Sequence, residues 1–350
     1  MAFAKGARAL ISFFAAGALA LTMAGCAGDA DPEPTEGATT GAATDPTTDP
    51  ATEAGGDVIT VGYVAVGPEG GWRDAHEKAI RDAFGEDDSF DLKYAPASSP
   101  TDQNSQINAF NTFVNDEVDA ILLTATEASG WGDSLALAQE AEIPVILLDR
   151  GVEGNEDLYV TRIAPDNVEV AAQVGEWALT AFPDGANYYV LEGVPGLSVV
   201  NERNEGFEGA IAGAEGWNKV GAQTANWSAD EGKSVTETVL RANNNDIQFI
   251  FAQNDEMGIG AAQAVKDAGL TPGDDVKIAT IDGTSGALES LAAGDLSFVA
   301  QYNPFFGDLA IDAVNKALAG ESVEKTIIVP GEAFDSAEAG QKALDDGMGF

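Results

Sequence analysis

"VITVGYVAVGPEGGWRDAHEKAI", residues 58–80, changes its period in the middle. Val58–Val66 gather β-branched and aromatic side chains in one short run, the pattern of a strand buried on both faces. Gly67, Gly70 and Gly71 then break the run. Ala75, Ala79, Ile80 and Ala83 recur at three- and four-residue steps, with charges between them. That is the period of a helix with one apolar side. A strand that feeds a helix through a glycine turn opens a βαβ unit.

The same rhythm runs outward from this stretch. "FDLKYA" from Phe90, "DAILLT" from Asp119, "PVILLD" from Pro144 and "LYVTRIA" from Leu158 follow it. A second series starts at "ANYYVLE" from Ala186 and continues through "NKVGAQ" from Asn218, "IQFIFAQ" from Ile247, "VKIATID" from Val276 and "LSFVAQ" from Leu296. Starts recur about every 30 residues, as βαβ units require. Helical patterns fill several gaps: "SQINAFNTFVN", "DEMGIGAAQAVKDAGL" and "AIDAVNKALAG". The spacing therefore predicts an α/β protein of two doubly wound parallel sheets.

Upstream of Val58 the chain reads differently. Lys5 and Arg8 precede "ALISFFAAGALALTMAG" and then Cys26, the only cysteine among 350 residues. Residues 1–25 have the charged, apolar and small-residue regions of a secretory signal. Met-Ala-Gly-Cys is similar to the lipobox of bacterial lipoproteins, in which Cys26 becomes the lipidated N-terminus. Residues 26–57, rich in Thr, Pro, Gly and acid, hold no large apolar side chain and are expected to be a disordered tether.

Fifty-eight acidic residues against 17 basic ones give a formal charge of −41, which argues against a nucleic-acid partner. One Cys and one His allow neither a disulfide framework nor a Cys/His zinc site. "DEGKS" lacks the first glycine of a phosphate loop, since Trp227 stands there. "GIGAAQ" has Gln263 at the third position of the dinucleotide fingerprint and starts inside a helix, so Gly258 and Gly260 read as close helix–sheet packing. His76, with no nucleophile beside it, reads as a solvated helix residue.

Open α/β sheets bind ligands beyond the carboxyl ends of their strands. Glu69, Trp72 and Arg73 follow the first strand, Trp131 the third, and Asp149 and Arg150 the fourth. The second series ends carry Arg203, Trp227, Asn254, Asp282 and Gln301. Trp faces suit the C–H patches of a sugar ring, while Asp, Asn and Arg suit its hydroxyls. Asp255 reads as the cap of the helix after it. Trp177 reads as core, and Trp217 as core or rim packing.

"VGYVAVGPEGGWRDAHEKAI", "IPVILLDR", "VVNERNEGF", "FAQNDEMGIGAAQAVKDAGL" and "IATIDG" together resemble the ribose/galactose-type sugar-binding proteins of bacterial ABC importers. "GWR", "SGW" and "LLDR" are similar to the galactofuranose-binding branch. The resemblance implies a type I periplasmic binding protein whose two lobes are joined by three crossover strands. It places 58–163 and 302–329 in lobe 1, and 164–301 and 330–350 in lobe 2. It implies that Glu69, Trp72, Arg73, Trp131, Asp149 and Arg150 face Arg203, Trp227, Asn254, Asp282 and Gln301 across a monosaccharide. Ala125 stands where the ribose type has Asn, which argues against ribose, and Gln301 where the galactofuranose type has Glu.

The expected function is a monomeric, lipid-anchored, extracytoplasmic receptor that closes on a galactofuranose-like hexose. It would hand this to an ABC permease with a cytoplasmic ATPase, without cofactor or metal. The alternatives are a pentose or nucleoside ligand, or a sensor coupled to a membrane receptor. A glycoside-cleaving enzyme is disfavoured, because carboxylates matched with Arg stay ionised and make poor general acids.

Overall fold

The computed structural model describes residues 58–350. The signal segment, Cys26 and the tether lie outside the described residues. In chain order the first strands are β1 (Ile59–Ala65), β2 (Phe90–Pro96), β3 (Ala120–Leu123), β4 (Val145–Leu148) and β5 (Thr161–Ala164). Then come β6 (Asn187–Glu192), β7 (Asn218–Thr224), β8 (Phe249–Ala252), β9 (Lys277–Asp282) and β10 (Phe298–Gln301). Two short strands, β11 (Thr326–Ile328) and β12 (Ala333–Phe334), come last. Each of the ten apolar runs read from the sequence forms a strand.

The strands form two sheets, ordered β11-β5-β4-β3-β1-β2 and β12-β10-β9-β8-β6-β7. All pairings are parallel except β10 with β12. Chain order reverses at β1/β3 in one sheet and at β6/β8 in the other, so each has a topological switch point. The chain passes from the first sheet to the second after β5, back after β10, and over again after β11.

Helices cover both sheets: α1 (Gly71–Gly85), α2 (Gln103–Asn115), α3 (Gly132–Glu140), α4 (Asn167–Ala181), α5 (Ser198–Ile211), α6 (Ala229–Ala242), α7 (Asp255–Asp267), α8 (Ser285–Ala292), α9 (Gly307–Leu318) and α10 (Ala337–Asp345). α4 packs on α5 and β10 in the second lobe, and α9 returns to α1, β4 and β5 in the first.

Strand alternation decides which face each side chain covers. Val61, Tyr63 and Ala65 pack with Ile80 and Phe84 of α1, whereas Val64 packs with Phe110 and Phe113 of α2. Trp177 stacks 5.2 Å from Phe298, and Trp217 meets Tyr188 edge-on at 5.8 Å. A Cβ at Gly258 would lie 2.1 Å from Thr280 Cγ2 on β9, the expected helix–sheet approach. Gly260 instead faces α6: a Cβ there would lie 2.0 Å from the Ala229 carbonyl.

A polar chain joins the lobes at the crossovers. Arg162 of β5 bonds both oxygens of Glu202 on α5, at 3.2 and 3.3 Å. Asn167 donates to Glu202 at 2.9 Å and to the Tyr302 hydroxyl at 3.1 Å. That hydroxyl donates in turn to Asp149 at 2.9 Å.

Candidate functional site

One cleft is lined from both lobes. The loop after β1 and the first turn of α1 supply Glu69, Gly70, Trp72 and Arg73, and the end of β4 supplies Asp149 and Arg150. Facing them are Val199 and Arg203 of α5, Trp227 after β7, Asn254 and Glu256 at the start of α7, and Asp282 ending β9. Tyr302, just after β10, completes the lining. The cavity left between these side chains is small, about 50 Å³.

The turns that end the strands are what aim these groups. Asp149 (φ 63°), Trp227 (φ 61°) and Asp282 (φ 144°) all have positive φ, which costs energy in a residue other than glycine. Each of the three sits at a strand end that faces the cleft.

Arg73 donates to Asp149 at 2.5 Å and to Glu69 at 3.3 Å. Arg150 grips both oxygens of Glu69 at 2.5 Å and reaches the Ala125 carbonyl at 3.3 Å. Burial alone would raise the carboxyls of Glu69 and Asp149, but the two guanidiniums outweigh it and hold both below the usual range. Burial likewise opposes the charge on Arg73, and Asp149 and Glu69 more than restore it. The first lobe thus presents a paired, ionised wall.

Asp282 differs. Burial pushes its carboxyl well above the usual range, and Arg203, 3.7 Å away, only partly offsets this. Arg203 itself is fixed by Asn167 at 2.9 Å and by the Gln253 carbonyl.

Aromatic faces flank the charges. Trp72 donates its indole N–H to the Tyr302 carbonyl at 2.5 Å and stacks on His76, ring centres 5.0 Å apart. Arg73 lies 4.8 Å over Trp72, and Arg203 lies 4.7 Å over Tyr302 and 5.7 Å over Trp227. Arg73 Nη1 and Trp227 Nε1 are buried and have no partner among the described residues. Unsatisfied buried donors are costly, and a ligand rich in oxygen acceptors relieves them.

Nine of the residues singled out in the sequence therefore meet: Glu69, Trp72, Arg73, Asp149, Arg150, Arg203, Trp227, Asn254 and Asp282. Two do not. Trp131 is fully buried in the first lobe, packs on Phe110 and donates to the Glu127 carbonyl at 2.9 Å. Gln301 turns away and accepts from the Glu332 N–H at 3.2 Å.

Two other expectations are corrected. His76 is wholly buried, hydrogen-bonded to the Pro304 carbonyl at 3.0 Å, and burial drops its pKa to about 3. The cap of α7 is Asn254, which accepts from the Met257 N–H, while Asp255 accepts from Thr280, Gly283 and Thr284. Tyr302, Glu256 and Val199 were missed. Tyr302 lies one residue past the end of β10, on the opposite side from Gln301, and the choice of Gln301 for the cleft excluded it.

The family model for the periplasmic binding protein domain matches residues 61–322. The chain belongs to that family. It is 52% identical over 292 residues to the fructose import binding protein FruE of Bifidobacterium longum, covering 82% of this chain and 87% of that one. It is 35% identical to the galactofuranose-binding protein YtfQ of Escherichia coli, over 74% of this chain and 81% of that one. The arabinose-transporter binding protein of Shewanella sp. ANA-3, solved with α- and β-L-arabinofuranose, matches with a TM-score of 0.78 at 32% identity, over 82% of this chain and 95% of that one. The chain is a binding protein of the sugar-importer type, not an enzyme.

Proposed function

We propose that this protein captures a neutral hexose in its furanose ring form, galactofuranose-like or fructose, by closing its two lobes on it. It then delivers the sugar to an ABC permease driven by a cytoplasmic ATPase. A lipid on Cys26 would hold the monomer outside the cytoplasmic membrane, with residues 26–57 as tether. The observation that carries the reading is the set of buried, unpartnered donors on residues that line the cleft from both lobes: Arg73 Nη1, Arg150 Nε and Trp227 Nε1. Sugar hydroxyls would satisfy the donors, and the ring would lie on the indoles.

Charge supports a neutral ligand. The three guanidiniums of the lining (Arg73, Arg150, Arg203) are already matched in number by Glu69, Asp149 and Glu256, with Asp282 as a fourth carboxyl, so no surplus cation is left for a sugar phosphate or uronic acid. The furanose preference draws on the relative named for galactofuranose and on the structure solved with arabinofuranose, and fructose on the relative named for it.

Calorimetric titration tests this on the protein stripped of copurified sugar by unfolding and refolding. The panel holds fructose, galactose, arabinose, ribose, glucose and a galactofuranoside. We expect one-to-one binding of fructose or the galactofuranoside, abolished by Arg73→Ala and by Asp149→Ala. Glucose, which has almost no furanose in solution, should give no heat. Binding of arabinose alone would move the assignment to a pentose. No heat from any of them would overturn the sugar reading.

A further inference from the structure

The first helix of the first lobe begins without a cap of its own. Gly70 precedes α1 at φ 140°, ψ 178°, and no side chain of its own loop accepts from the helix's free N–H groups. The acceptor comes from the other lobe. Glu256, in the first turn of α7, takes the Gly71 N–H on Oε1 at 2.9 Å. Its other oxygen accepts from the Asn254 amide at 2.6 Å, and Asn254 is the residue that caps α7. One carboxylate therefore sits between two helix N-termini that belong to different lobes, each of which favours negative charge.

A side chain at either glycine would crowd this approach. A Cβ at Gly70 or Gly71 would lie 3.2 or 3.3 Å from Glu256 Oε1. The interlobe bonds of Arg162 and Tyr302 lie at the crossovers; this one joins the start of α1 to the start of α7, and no crossover runs through either.

We propose that Glu256 is a latch across the cleft, forming its bond to α1 only when the lobes meet and so slowing their reopening. Glu256 also lines the cleft, and the inference rests on the sugar reading only for its effect on affinity. A bond formed after the ligand is enclosed acts on release, so koff carries the effect.

The test has two arms. Stopped-flow tryptophan fluorescence, with Trp72 and Trp227 as reporters, gives kon and koff for any sugar that binds. Glu256→Ala should raise koff about fivefold, the worth of one partly exposed charge-assisted hydrogen bond, by the same factor for every sugar. Glu256→Gln keeps an acceptor and should fall between. Gly71→Pro removes the donor at a position where proline suits a helix, and should cost nothing more on the Glu256→Ala background. Losses that differ among sugars, or that add to Gly71→Pro, would make Glu256 a ligand contact and overturn the latch. The second arm compares hydrogen exchange at the Gly71 amide in the emptied protein and in the protein as purified with its ligand: closure should slow exchange in the wild type and leave it fast in Glu256→Ala. Equal slowing in both would overturn the latch whatever the ligand is, so this arm does not depend on the ligand's being a sugar.

Discussion

Asp149 and Asp282 face the same cleft, yet their surroundings set them apart. Asp149 lies between Arg73 and Arg150, which hold its carboxyl low against the pull of burial. Its folded-state pKa is below the unfolded value of about 3.9, so its contribution to stability is complete above that pH and is lost as pH falls through the folded value. Glu69 acts with the same sign. Asp149→Ala leaves Arg73 buried with only Glu69 against it, and should cost about 3–5 kcal/mol in denaturant unfolding. Asp282 has the opposite sign: its raised pKa makes the protonated form the better folded one, and that benefit is lost as pH rises through the folded pKa. Asp282→Asn imitates the protonated form at every pH. It should raise unfolding stability by roughly 0.5–2 kcal/mol at neutral pH while weakening sugar binding, a trade of affinity for stability. Thermal unfolding and titration of the one variant check both halves, and a variant that binds as well as the wild type would contradict the role given to Asp282.

At the scale of elements, packing between helices positions the charges. A Cβ at Gly206 of α5 would lie 2.0 Å from the Val168 carbonyl of α4, so the two helices touch backbone to backbone. Arg203 lies one turn before Gly206, and Asn167, which fixes it, begins α4. Gly206→Ala should therefore cost about 1–3 kcal/mol of stability and also weaken binding by displacing Arg203, as denaturation and titration would show. Eight of the ten main strands were legible because burial on both faces demands continuous apolar runs, and the glycine turn after Val66 fixed the βαβ reading; the more exposed edge strands β2 and β7 were legible from the βαβ spacing. β11 and β12 were not: three and two residues at sheet edges carry too little pattern. The strand-end rule found most of the cleft but could not see side-chain direction. Trp131 occupies the cap position of α3 and folds back into the core, whereas Trp72 is inside α1 and reaches the cleft. A one-residue change of strand face separates Gln301 from Tyr302. His76 shares a helix face with Trp72 and Ile80, and that spacing was the available sign of its burial.

At the scale of the whole molecule, the proposed closure depends on two lobes and a small set of links between them. The chain from Arg162 through Glu202, Asn167 and Tyr302 to Asp149 ties the hinge side to the ion cluster of the cleft. Tyr302→Phe keeps the ring under Arg203 and removes only the hydroxyl. It should weaken sugar affinity about tenfold, mostly through koff, the worth of one hydrogen bond to a charged group. A ligand that touches both lobes favours the closed state by its differential affinity, and in the proposed function the unpartnered donors of Arg73 and Trp227 would contribute to that difference. The most direct measurement is a crystal structure of the protein grown with fructose, or with whichever sugar of the panel binds more tightly. The account predicts one furanose ring in contact with Trp72 and Trp227, with a hydroxyl within hydrogen-bond distance of Arg73 Nη1. A sugar bound elsewhere on the molecule, or a six-membered ring in the cleft, would contradict it.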